Sequence, residues 1–192
     1  MHKVIEIAFK IIRLETGQIE AAFESLVSLD EADWAKSDPK SLVVNGFSDY
    51  SKLAQAPDAA EVGSKIENLF KAHQVNRDLS IFICQNPSFD RPFFAQLVPT
   101  YIQEKLQWPY HWLDLASMFW ACQAKTLGLP ALNRLSKDHI AQKLQIESEA
   151  FPHKAMAGVE HLIACYEKLI GFPALQMRHV LQAHSEPGKV SL

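Results

Sequence analysis

Asp90 stands out first among the residues able to do chemistry. It lies in Ser80–Phe94, SIFICQNPSFDRPFF, where an apolar run stops at Gln85-Asn86 and a lone carboxylate follows. A strand that ends in a turn and delivers an Asp to the sheet edge suits a divalent cation, which takes hard oxygen ligands. The same Asp90 precedes Arg91-Pro92 and also fits a helix N-cap, with Pro92 in the first turn. His153 is the second candidate, because imidazole titrates near neutrality and can carry a proton. Set behind Pro152, it equally suits a helix cap or a solvated position. Trp34, Phe47, Trp108 and Trp112 could stack on bases, although most aromatics in a domain of this size are core. His111 and His161 have no Cys at metal-ligand spacing.

The elements that must position these residues follow from periodicity and breakers. Val4–Leu14 has strand composition, Thr16-Gly17 makes a turn, and Gln18–Leu29 alternates in part, so a β-hairpin is expected. A polar stretch with Asp38-Pro39 and Asn45-Gly46 reads as loop, and Ala59–His73 carries Val62, Ile66, Leu69 and Phe70 at helical spacing. Ile81, Phe82 and Ile83 do not alternate with polar residues, which predicts a strand over Leu79–Gln85 covered on both faces. A helix over Arg91–Leu106, kinked at Pro99, comes next. Trp112–Asp114 reads as a short last strand, with Asp114 as N-cap or buried acceptor, before a helix through Leu127. Ser136 caps Lys137–Leu144, and Ala155–Ile170 closes the domain with Met156, Val159, Leu162, Ile163, Tyr166 and Leu169 on one face. This order implies an α/β fold: an antiparallel hairpin plus parallel strands, flanked by helices, with a helical C-terminal third.

Composition narrows the function classes. The chain has 192 residues, 48% of them hydrophobic, enough for one domain with a sizeable core, taken as residues 1–183 with a loose tail over 184–192. No apolar stretch reaches membrane-spanning length and no signal-peptide pattern is present, so the expected location is the cytoplasm and no membrane partner is expected. Cys84, Cys122 and Cys165 are scattered through apolar segments and read as reduced core thiols. A net charge of −3 argues against gripping a polyanion through a broad basic surface. A small pocket that holds one strand end stays open to it.

Three stretches carry a family resemblance. Val4–Ala8 with Thr16-Gly17 is similar to an "IIEIA…TG" strand and turn, Asn86–Phe94 (NPSFDRPFF) to an "HNxxFDxxFL" motif, and Pro152–Cys165 (PHKAMAGVEHLIAC) to a closing "HxAxxD" helix. The order and the motifs resemble the DEDDh branch of 3′–5′ exonucleases, a ribonuclease H-like group. The resemblance implies Mg²⁺- or Mn²⁺-dependent hydrolysis at the 3′ end of a single-stranded nucleic acid. Two divalent ions about 4 Å apart activate water and neutralise the attacking and leaving oxygens.

Carried over residue by residue, Asp90 matches a metal-ligating Asp and His153 the general base. The D-x-E pair and the strand bearing it have no counterpart, and Gly158 stands where the last Asp belongs. Glu160, two residues on and roughly 200° around a helix, is the substitute metal ligand. Asn86 and Phe89 in the middle motif, with Asn45 and Phe47 in the loop expected over the cleft, are the candidate substrate contacts. Two explanations of the missing strand are expected to compete: Met1 is an internal methionine of a longer protein, or the hairpin slides inward beside Leu79–Gln85. The reading is an exonuclease-type domain that is weak or inactive as it stands. The alternative is a non-catalytic descendant that binds a nucleic-acid end or a protein. Oligomeric state is not readable.

Overall fold

The N-terminal apolar residues form an antiparallel hairpin, β1 (Glu6–Arg13) with β2 (Gln18–Leu26). The chain reverses at Gly17, whose φ of +73° suits a residue without Cβ. The structure, a computed structural model, describes residues 2–127 and 135–173. The domain end at 183 and the tail over 184–192 lie outside the described residues.

The stretch expected as plain loop contains three short helices, α1 (Glu31–Trp34), α2 (Pro39–Val44) and α3 (Ser51–Ala54). Asp30 caps α1, and Asp38 caps α2 with Pro39 in its first turn. α4 (Ala59–Ala72) starts at Asp58, whose carboxylate accepts the Glu61 N–H at 2.8 Å. The parallel pair is β3 (Phe82–Cys84) with β4 (Trp112–Asp114). Between them lie α5 (Pro87–Leu97) and α6 (Thr100–Lys105). After β4 come α7 (Leu115–Leu127), α8 (Lys137–Lys143), capped by Ser136 as expected, and α9 (Ala155–Leu169).

Three expectations need correction. The helix expected over Arg91–Leu106 is two helices, because Val98 precedes Pro99 and is forced into extended backbone (φ −128°, ψ 104°). The strand expected over Leu79–Gln85 shrinks to three residues: Asn76 draws the Asp78 and Leu79 amides into a turn, and Leu79 is 74% exposed. Ile81 and Ile83 are half-buried and not covered on both sides. Finally, the hairpin does not slide beside β3. The antiparallel and parallel pairs remain two separate two-stranded sheets.

Two apolar layers enclose these sheets. Val62, Ile66, Phe70, Phe94, Leu97 and Trp108 form the larger core, against which Ile7, Phe9 and Ile11 of β1 pack. Leu115, Phe119, Ile140 and Cys165 join α7, α8 and α9 in the second. Burial of such side chains contributes about 1.5–3 kcal/mol each. Trp108 is 4% exposed, and Trp34 and Trp112 pack against apolar clusters, so these candidate stacking residues serve the core instead.

Candidate functional site

Between β1 and β3 the fold leaves a cleft of about 1830 Å³. Asp90, His153, Phe89, Asn45 and Phe47 all line it, whereas Asn86 and Glu160 do not. Residues far apart in sequence therefore meet around one space.

Asp90 reaches the cleft on the first turn of α5. The N-cap is Asn86, which corrects the capping role expected of Asp90: Asn86 Oδ1 accepts the Ser88 N–H at 3.1 Å. Asp90 Oδ2 accepts the Asn86 N–H in return, also at 3.1 Å, so the two side chains close the helix start reciprocally. The buried Cys84 thiol lies beside Asp90. Burial first, then the charge of Asp90 and a hydrogen bond to it, hold that thiol far above its ordinary range. Asp114 caps α7 through the Ala116 N–H at 2.9 Å and the Ser117 hydroxyl at 2.7 Å, the N-cap role expected of it.

His153 enters from the turn before α9, and the segment around Asn45 anchors that turn. The His153 N–H donates to the Val44 carbonyl at 2.8 Å, and Lys154 Nζ donates to the Asn45 carbonyl at 2.8 Å. Gly46, at φ +68°, leaves room for Pro152, which a Cβ would meet at 2.7 Å. The Asn45–Phe47 segment thus positions His153. Phe47 itself is 6% exposed with Lys154 Nζ 4.8 Å from its ring centroid, a packed residue and not an open platform. Phe89, by contrast, is 62% exposed, its ring 4.7 Å from that of Phe93.

Two carboxylates that the sequence did not single out surround His153. Glu149 ion-pairs with Lys137, and its Oε1 abuts His153 Nδ1, although without the alignment of a hydrogen bond. Glu6 of β1 lies beside the Ala155 amide at the start of α9, whose own N-cap, Lys154, makes no side-chain cap. Burial raises the Glu6 carboxyl above the ordinary glutamate range, against opposing pulls from Lys154 and from the Ala155 amide. Glu6 has no local sequence signal, since its contact joins distant segments; Glu149 is only four residues before His153, but the stretch between them is not helical, so helical i,i+4 spacing does not apply to it.

Gly158 has a steric role. A Cβ there would meet His153 Cε1 at 3.0 Å and Glu149 Oε1 at 3.5 Å, so the bare backbone makes room for the imidazole. Glu160 points away and pairs with Lys10 at 2.7 Å, its side chain 60% exposed. Among the described residues no group of three or more His, Cys, Asp or Glu could hold a metal ion. With Asp90 engaged by an amide and a thiol, and Glu160 by a lysine, these residues do not fit a tightly held Mg²⁺ or Mn²⁺.

Among the described residues no helix is long and apolar enough to cross a membrane. No protein-family model matches the chain. No curated protein matches its sequence. Solved structures do match its fold. The nuclease domain of 3′hExo, a DEDDh family member, bound to rAMP, superposes with a TM-score of 0.66 at 14% identity, over 90% of this chain and 84% of that one. A structure of 3′-end specific recognition of histone mRNA stem-loop by 3′-exonuclease gives 0.65 at 14% identity, over 90% and 58%. A full-length 3′-exonuclease gives 0.63 at 15%, over 90% and 74%. The α/β arrangement of hairpin, parallel pair and flanking helices is thus the fold of a DEDDh-type 3′–5′ exonuclease domain.

Proposed function

We propose that this chain is a divergent DEDDh-type domain that binds a single-stranded nucleic-acid 3′ end in the cleft and hydrolyses it feebly or not at all. The observation that carries this reading is the fold likeness over 90% of the chain, with Asp90 and His153, the two matched positions, lining one cleft. The rAMP and histone mRNA stem-loop bound by those neighbours make RNA the first substrate to test. Phe89 offers an exposed ring for the terminal base, worth about 1–3 kcal/mol by stacking, and Asn86 borders the same helix start. Asn45 and Phe47 act by holding the His153 turn. With Nδ1 against Glu149, Nε2 is the nitrogen left to take a proton from water. Asp90 is the one matched carboxylate in the cleft, and Glu160, paired with Lys10 outside it, does not join it, so no tight Mg²⁺ or Mn²⁺ site is expected. Three unpaired cysteines suit the cytoplasm.

The test uses a short single-stranded RNA with a free 3′ hydroxyl, followed by anisotropy for binding and by denaturing gel for trimming with Mn²⁺. Binding with slow trimming is expected, and His153→Ala should slow that trimming by about a hundredfold or more. Calorimetry should find no Mn²⁺ site tighter than the roughly millimolar range of loose oxygen sites. Failure to bind any oligonucleotide would refute the reading. A second reading, a non-catalytic end-binding descendant, is favoured by Gly158, where the resemblance implies an Asp. It becomes the better one if RNA binds and no trimming occurs.

A further inference from the structure

Two sheet edges border the cleft, and the ladders define what each presents. The Val27 N–H donates to the Ile5 carbonyl at 2.9 Å, so Ile5, Ile7, Phe9 and Ile11 turn their main-chain groups toward β2. Glu6, Ala8 and Lys10 turn theirs the other way. In the parallel pair the Phe82 N–H donates to the His111 carbonyl at 3.3 Å, so Phe82 and Cys84 bond β4 while Ile81, Ile83 and Gln85 face outward. Among the described residues no backbone–backbone hydrogen bond takes up these two outward rows. Every residue of both rows lines the cleft.

The cleft is also closed above and below by apolar side chains. Phe70, Phe93 and Phe94 line it from α4 and α5; Val159, Leu162 and Tyr166 line it from α9. Its volume of about 1830 Å³ exceeds that of small-molecule pockets, which run to about 1,000 Å³. Gln85, at the end of the β3 row, adds a buried side-chain oxygen with no partner.

We propose that this cleft is a strand acceptor. It takes one extended polypeptide segment that hydrogen-bonds to β1 on one edge and to β3 on the other and joins the two sheets into one. The occupant is a proline-free strand of apolar and β-branched residues, because apolar walls meet both of its faces and its amides must serve both edges. Alternating N–H and C=O groups at strand pitch match a peptide backbone. The occupant shares its cleft with the exonuclease reading, so a bound peptide would compete with an oligonucleotide, and peptide binding measured without RNA tests it separately.

Amide hydrogen exchange on the full chain tests it. In the free protein the amides of Ala8, Lys10 and Ile83 should exchange fast, while those of Ile7, Phe9 and Phe82 are protected. Adding a fluorescein-labelled peptide of alternating valine and threonine, with terminal lysines for solubility, should protect Ala8 and Ile83 and give saturable anisotropy. The same peptide N-methylated at alternate residues should bind about tenfold more weakly or worse. Ala8→Pro should weaken the unmethylated peptide similarly. The Ala8 N–H makes no bond to β2, so proline there removes only the cleft-facing donor. Equal binding of the methylated peptide, no binding up to about 1 mM, or slow exchange at Ala8 and Ile83 in the free monomer would each overturn the proposal. Protection lost on dilution together with a sedimenting dimer would overturn it in favour of a second copy.

Discussion

Gly63 gives the sharpest test of how the fold positions Asp90. It sits inside α4, where intrinsic propensity alone favours Gly63→Ala by about 0.8–1 kcal/mol. The tertiary contact argues the opposite, because an added Cβ would lie 2.3 Å from the Leu97 carbonyl oxygen and 3.2 Å from its carbon. That oxygen is backbone at the end of α5 and cannot rotate aside. To accept alanine, the contact must open from 2.3 Å to beyond 3.0 Å, moving the end of α5 away from α4 where Val62, Ile66, Leu97 and Val98 are buried. Overpacking of this kind costs about 1–3 kcal/mol, so after the propensity gain the net loss should be about 0–2 kcal/mol. For a chain of this size that lowers the melting temperature by up to roughly 8 °C. Thermal unfolding followed by circular dichroism measures it directly. A variant that melts above the parent would show that α4 and α5 are not in the contact described, and the placement of Asp90 would fall with it.

Two further predictions concern the surroundings of His153. Burial raises the Glu6 carboxyl, so its contribution to stability is full below its unfolded-state value near 4.5 and is lost as pH rises through the higher folded-state value. Glu6→Gln removes the titrating group and keeps its shape, so its melting temperature should gain on the parent's between pH 4 and 7. Glu6→Ala, which also removes the titrating carboxyl, should gain on the parent over the same range, and a pH-independent Gln-minus-parent difference would refute the assignment. Glu149→Ala leaves Lys137, whose side chain is 19% exposed, without its partner, and should cost about 1–3 kcal/mol. It should also shift the His153 ring resonances by NMR, and unchanged resonances would mean that Glu149 does not hold the imidazole.

Local chemistry made much of this protein legible in its sequence. The hairpin, the Ser136 cap, the start of α4, the short β4 strand and the order of elements all follow from alternation, helical spacing and breakers, which act within a few residues. The motif around Asp90 and His153 pointed to the fold that the solved structures match. Where local rules failed, the cause was also local but competing: Pro99 imposed extended backbone on Val98, and Asn86 outcompeted Asp90 as cap. Only tertiary structure decided the rest. Glu6 beside Lys154 and Ala155, Lys137 meeting Glu149 and Gly63 beneath Leu97 join segments whose contact depends on how the layers pack. The half-buried state of Ile81 and Ile83 belongs with these. An apolar run states that a strand can be covered on both faces, but whether a neighbour lies along its second edge is settled by the rest of the sheet, and here that edge opens on the cleft between β1 and β3.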